Sequence, residues 1–147
     1  MRGVLIDAGP LVALIDRSDP HHAACLKTLQ AIRDPLFTVW PALTEAMYLL
    51  GFAWTAQEAL WEILECSAIN LLPLGDEDHH RIRELMEKYQ DLPMDLADAA
   101  LVRAAEREKI KRVFTLDRKD FGVYRPVGLG AIYPATLIQF FNRNPTS

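Results

Sequence analysis

The sequence predicts an α/β fold in which a mostly parallel sheet carries helices on both faces. Two observations predict it. Short β-prone runs alternate with helical stretches along the whole chain, the pattern of parallel strands joined by helical crossovers. The 147 residues, 50% hydrophobic and 24% charged, are the length and mixture that one ordinary globular domain uses. We therefore expect a single domain over residues 1–143, with 144–147 as a frayed tail. A chain of this size buries roughly 70% of its unfolded surface and needs neither disulfides nor a structural metal to fold.

Val4-Leu5-Ile6 reads as the first strand, ending at Asp7, and Gly9-Pro10 opens a helical stretch from Leu11 to Asp16. Ser18-Asp19-Pro20 supplies an N-cap and a first-turn proline for a helix to about Arg33, stopped by Asp34-Pro35. Leu36 to Val39 is the second strand. Ala42 to Ala53 is helical, which puts Glu45 in or near a first turn, and Thr55-Ala56-Gln57-Glu58 has capping-box spacing for a helix to about Cys66. Ile69 to Leu72 is a third strand, and Asp76 to Tyr89 is a polar-faced helix ended by Asp91-Leu92-Pro93. Asp95 caps a helix to about Lys109, and Val113 to Leu116 is a strand leading to Asp117. A short strand near Ala131-Ile132 and a helix from about Pro134 to Asn142 complete the pattern.

The longest apolar run, Ala46 to Trp54, is half the roughly 18 residues that a membrane span needs. Asp7 interrupts the stretch where a signal peptide would still be apolar, and two cysteines are too few for a secreted disulfide scaffold. A cytoplasmic location and no membrane are expected. The net charge of −4 excludes a general nucleic-acid coat protein. The charge is uneven, however: residues 103–125 hold eight Lys and Arg against four acids, so a local phosphate-facing patch stays open.

Most of the 20 acids, among them Asp76 to Asp78, Glu84, Glu106 and Glu108, lie beside basic residues and read as solvated helix faces or caps. Four do not. Asp7 ends one apolar strand and Asp117 another, while Glu45 is followed directly by the apolar run Ala46 to Leu50 and Asp98 lies within Leu96 to Val102. Singly, each also fits a turn, a cap or a helix N-terminus. Together, two at strand ends and two near helix starts point to one edge of a parallel sheet. Four ionised carboxylates repel one another there unless a cation joins them. Oxygen ligands without Cys or His suit Mg²⁺ or Mn²⁺, the apparatus of phosphoryl chemistry. With Asp7 and Asp98 as ligands, and Glu45 and Asp117 ligating or acting through water, such a cation lowers the pKa of a water and orients it toward a phosphodiester.

Leu5-Ile6-Asp7-Ala8-Gly9-Pro10-Leu11, Thr44-Glu45-Ala46, Asp95-Leu96-Ala97-Asp98-Ala99-Ala100-Leu101 and Thr115-Leu116-Asp117-Arg118-Lys119-Asp120-Phe121 resemble, in order and spacing, the successive motifs of PIN domains, especially the VapC-type toxin ribonucleases. The resemblance implies a three-layer α/β/α sandwich and cleavage of single-stranded RNA with Mg²⁺ or Mn²⁺, leaving 5′-phosphate and 3′-hydroxyl ends. It assigns Asp7, Glu45, Asp98 and Asp117 to the acidic quartet and Thr115 to the hydroxyl residue two before the last acid. Gly9 departs from the pattern, which often has Ser or Asn there. Arg118, Lys119 and Arg125 are candidate contacts to the RNA backbone or else solvated charges. Asp95, three residues before Asp98, is expected to cap the helix rather than ligate.

Other readings predict other residues. A haloacid-dehalogenase-like phosphatase needs a second Asp where Gly9 stands, and a silent RNA- or partner-binding module predicts loss of an acid. A flap-nuclease-like DNA enzyme normally carries insertions for which this length leaves no room, whereas a housekeeping RNA-processing nuclease shares the acids. His21-His22 and His79-His80 lack zinc spacing and read as surface. Cys25 and Cys66 read as buried helix positions. Trp40, Tyr48, Phe52, Trp54 and Trp61 are too many aromatics for one packed layer, so some are expected to face a second copy in a homodimer or the helix of a cognate antitoxin.

Overall fold

The computed structural model describes residues 2–117, 123–124 and 133–134. Its centre is β1 (Val4–Ile6), three residues without a polar side chain and all buried, because strands lie on both sides of it and helices cover both faces. The other strands are β2 (Leu36–Thr38), β3 (Ile69–Leu71), β4 (Arg112–Phe114) and β5 (Tyr133–Pro134). All pair in parallel in the order β3-β2-β1-β4-β5, with Val4 opposite both Leu36 and Arg112, and Ile6 opposite Phe114. The chain winds outward from β1 to β3 and then returns to the other side of β1. That reversal puts a crevice at the carboxyl ends of β1 and β4, where parallel sheets build their sites.

Among the described residues six helices, α1 (Ala8–Ile15), α2 (His22–Ala31), α3 (Trp40–Leu49), α4 (Trp54–Glu65), α5 (Asp76–Lys88) and α6 (Leu96–Glu108), join the strands. Strand alternation divides the core. Val4, Ile6, Leu36 and Phe114 face α1, α2 and α4 through Leu11, Cys25 and Leu60, and Leu5 and Val113 face α5 and α6 through Leu85, Ala97 and Leu101. The layers are therefore α/β/α.

Several boundaries differ from expectation for local reasons. Asp7 starts α1, its carboxylate accepting from the Ala8 N–H at 2.8 Å, so the helix begins before Gly9-Pro10. Asp19 accepts from the His21 N–H and closes a turn, which delays α2 to His22. Thr55 lies inside α4, whose N-cap Ala53 offers no side chain, so the expected capping box does not form. α3 starts at Trp40, two residues early, which moves Glu45 to the second turn. β4 stops at Phe114, and β5 lies two residues beyond Ala131-Ile132. The expected C-terminal helix does not start at Pro134, which lies in β5, and the rest of that helix and the 144–147 tail fall outside the described residues.

The expectation of solvated acids on α5 and α6 is corrected at Asp78 and Glu106, both buried. Asp78 accepts from the Gly75 N–H at 2.8 Å, from Arg103 Nε at 2.8 Å and from Arg107 Nη1 at 2.7 Å. Burial acts to raise its pKa, but these donors outweigh it and hold the carboxyl below the usual range. Glu106 takes a two-pronged contact from Arg81, with Nη2 at 2.8 Å. These pairs pin α5 to α6. Asp78→Ala removes the shared buried acid of two half-buried guanidiniums, leaving Arg107 its contact with Glu108 and Arg103 a longer one with Glu106, and we expect it to cost roughly 3 kcal/mol in chemical denaturation. Cys66 is also corrected: it is exposed at the end of α4, while Cys25 is buried as expected. His21, His79 and His80 are exposed, and His22 is half-buried with Nδ1 2.7 Å from the Ala13 carbonyl.

Candidate active site

The crevice between β1 and β4 is a cleft of about 220 Å³ lined by Asp7, Ala8, Gly9, Glu45, Pro93, Asp95, Asp98, Leu116 and Asp117. All four expected acids reach it, with Asp95 as a fifth. No basic side chain lines it among the described residues.

Asp7 arrives from the end of β1, whose ladder continues one step further as the Asp7 N–H donates to the Phe114 carbonyl at 3.0 Å. Its side chain is buried, with Oδ1 taken by the Ala8 N–H and Oδ2 by the Thr115 hydroxyl at 3.2 Å. Thr115, fully buried just past β4, in turn accepts from the Asp117 N–H at 2.9 Å. One hydroxyl thus ties the first acid to the backbone of the last. Burial, and after it the charge of Glu45, push the Asp7 carboxyl up to about 6 despite the donors it accepts from.

Asp98 is the third residue of α6 and also buried. The Asp98 N–H donates to Asp95 Oδ1 at 2.9 Å, and the Asp95 N–H returns a longer bond to Asp98 Oδ2 at 3.4 Å, a reciprocal cap. Burial, then Asp95 and Asp7, push the Asp98 carboxyl to about 8. Glu45 and Asp117 are exposed at the rim. Desolvation and the Asp95 charge raise Glu45 too. Since α3 carries Glu45 in its second turn, balance of a helix N-terminus does not explain it. Among the described residues no three His, Cys, Asp or Glu side chains already form a cation cage. The donor chemistry nevertheless fits a hard divalent cation: among the described residues every ionisable group lining the cleft is a carboxylate, and the two buried ones carry the cost of their own charge.

Asp95 does cap α6, as expected, and it faces the cleft as well. Asp95→Asn keeps the capping oxygen and is expected to retain much of any cleavage activity. Asp95→Ala is expected to cost about 1 kcal/mol of stability, read by thermal denaturation. At the Gly9 departure a Cβ would press on the Leu116 side chain at 3.3 Å, so a larger residue there needs that side chain to shift by a few tenths of an ångström.

The local basic patch that the charge distribution left open does not reach the cleft among the described residues. Arg103 and Arg107 serve Asp78, and Arg112 contacts Asp34 at 3.1 Å. Lys109 ends α6 about 16 Å along the helix axis from Asp98, away from the cleft. Arg118, Lys119 and Arg125 lie outside the described residues. Sequence reading also passed over Tyr124, which is fully buried with its hydroxyl 3.4 Å from Asp98 Oδ2. A separation of 26 residues leaves no local pattern that announces this contact.

The family model of the PIN domain matches residues 4–125, a span holding every acid of the cleft. The chain belongs to the PIN domain family. Ribonuclease VapC26 of Mycobacterium tuberculosis (strain ATCC 25618 / H37Rv) is 31% identical over 129 residues, 86% of this chain and 96% of that protein. Among solved structures this PIN domain is similar to VapC20 of M. tuberculosis, a Sarcin-Ricin loop cleaving toxin, at a TM-score of 0.73 and 14% identity, covering 79% of this chain and 91% of that one. It is also similar to a chain of a toxin–antitoxin complex from Klebsiella pneumoniae, at 0.64 and 18% identity over 82% and 91%. The three-layer PIN fold expected from the sequence is the fold observed.

Proposed function

We propose that this PIN domain is a VapC-type endoribonuclease that hydrolyses RNA with Mg²⁺ or Mn²⁺ and acts as the toxin of a toxin–antitoxin pair. The observation behind the reading is the cleft itself: five carboxylates, two of them buried, and no basic residue among those described. The family and the similarity to a VapC ribonuclease support the same chemistry.

In this reading Asp7 and Asp98 hold the cation, and Glu45 and Asp117 complete its surroundings from the rim. When bound, the cation polarises the phosphate and lowers the pKa of an attacking water. Thr115 keeps Asp7 oriented, and the buried walls around Asp7 and Asp98 lower the local dielectric that their charges experience. Arg118, Lys119 and Arg125 are assigned to the RNA backbone, where they fix register rather than sequence.

The partner reading rests on the surface. Trp40, Tyr48, Phe52, Trp54 and Trp61 are all exposed, joined by Leu49 on α3. Exposed aromatics on α3, on α4 and at Phe52 in the turn between them are the composition of an interface core. We assign this face to a homodimer contact, an antitoxin contact or both. The described residues contain no helix long and apolar enough to cross a membrane.

Expression of the chain in a bacterial host tests the toxin reading. Arrest of growth with fragmented RNA is expected from the wild type and not from Asp98→Asn, and relief is expected on co-expression of a neighbouring antitoxin frame. Unhindered growth with intact RNA at equal protein levels would count against it.

A further inference from the structure

The two buried carboxylates are each met by one buried hydroxyl. Thr115 donates to Asp7, and Tyr124, from the far side of β4 in sequence, donates to Asp98 Oδ2. We propose that Tyr124 is a positioning residue of the cleft: its hydroxyl sets the orientation of the Asp98 carboxylate and so the affinity of the site for a divalent cation.

Three observations carry this. Tyr124 is among the largest fully buried side chains of the protein, yet its oxygen ends beside an acid that lines the cleft. Packing alone would be served as well by phenylalanine, and a buried phenol requires a hydrogen-bond partner. Second, the ring is anchored. It lies tilted at 59° against Tyr89, with centroids 5.1 Å apart, in the same cluster as Met94, Ala97 and Leu101. Tyr89 caps α5 and Ala97 precedes Asp98 on α6, so the ring sits in one core cluster with the helix that carries the acid and with the end of its neighbour. Third, the described hydrogen bonds to the Asp98 carboxylate, from Tyr124 and from the Asp95 N–H, both fall on Oδ2. Among the described residues, Oδ1 is left as the oxygen for a cation. Groups that orient ligating carboxylates in this way typically govern metal affinity or activity by 10–100-fold.

The inference rests on the divalent-cation reading of the cleft, and Tyr124→Phe tests it because the ring and its packing stay. Mn²⁺ binding is titrated by electron paramagnetic resonance of the free ion without RNA, and melting is followed without metal. We expect the Mn²⁺ dissociation constant to rise about 10-fold, with a metal-free melting temperature within about 4 °C of wild type. RNA cleavage at limiting Mn²⁺ should fall in proportion and recover at saturating Mn²⁺, with KM for RNA unchanged. In an Asp98→Asn background the Tyr124→Phe change should have no further effect on Mn²⁺ binding. A Mn²⁺ affinity within twofold of wild type overturns the proposal, whether or not melting falls, since the residue would then serve the fold alone. A wild-type chain that takes up no Mn²⁺ overturns this proposal and the cation reading together. Tyr124-dependent Mn²⁺ binding without RNA cleavage by the wild type would support the assignment and sink the nuclease reading.

Discussion

Asp98→Asn is expected to lower RNA cleavage by roughly 10³-fold, about 4 kcal/mol of transition-state stabilisation, while the protein stays folded. The substitution keeps the shape of the side chain and, through its amide oxygen, an acceptor for the Asp95 N–H and the Tyr124 hydroxyl. It removes the charge a divalent cation needs. Asp7→Asn should behave in the same way, since Asp7 is as deeply buried and lines the same cleft. Glu45→Gln and Asp117→Asn act from the exposed rim, where water can replace a lost ligand, and losses nearer 10–100-fold are expected. Rates are measured on one RNA at fixed Mn²⁺, with circular dichroism as the check on folding. Wild-type rates in folded Asp98→Asn protein would remove Asp98 from the site.

Without metal, stability should fall as pH rises from 5 to 8. The reason is the direction of the shifts. Asp7 and Asp98 are raised from 3.8 to about 6 and about 8, so between pH 4 and 8 the folded chain keeps protons that the unfolded chain has released. Their contribution is therefore fully present below the ordinary carboxylate range and is lost as pH climbs through the folded values. For Asp7 alone the loss is on the order of 3 kcal/mol. Asp78 works with the opposite sign, but its transition lies below this window. Mg²⁺ or Mn²⁺ binds the ionised folded site and should raise the melting temperature, most at pH 8, where protons compete least. Asp98→Asn should melt higher than wild type at pH 8 without metal, lose much of the pH slope and respond little to Mn²⁺. Metal-free melting temperatures flat across pH 5 to 8 would argue against buried, mutually repelling carboxylates.

Much of this was legible in the sequence because it is written in short-range patterns. Val4-Leu5-Ile6 announces a buried strand, Asp95 announces a cap, and an acid placed directly after or inside an apolar run announces an anomaly. The order of the strands is less local, yet alternation of strand and helix limits it to a parallel sheet with a crevice at its carboxyl edge. Contacts between distant segments were not legible. Asp78 and Glu106 read as solvated charges because their arginine partners come mostly from the facing helix, about 25 residues away. The same three-dimensional pairing removed Arg103, Arg107 and Arg112 from the apparent basic patch. Tyr124 was missed for a related reason: its meaning comes from the acid it meets, and nothing near it in the chain points there. The start of α2 was misplaced because a turn took the capping side chain: Asp19 accepts from the His21 N–H before the helix begins.

The chemistry of the cut ends tests the proposed reaction most directly. A single-stranded RNA is incubated with the purified chain in Mn²⁺ and, in parallel, in excess EDTA, and the product termini are identified by phosphatase sensitivity and mass. Attack by water with the 3′-oxygen as leaving group, the polarity that the resemblance to VapC-type ribonucleases implies, is expected to leave 5′-phosphate and 3′-hydroxyl ends, with no product in EDTA. Ends bearing a 2′,3′-cyclic phosphate, or cleavage undiminished by EDTA, would show that the ribose hydroxyl is the nucleophile or that no metal is needed, and would contradict the role given to Asp7 and Asp98.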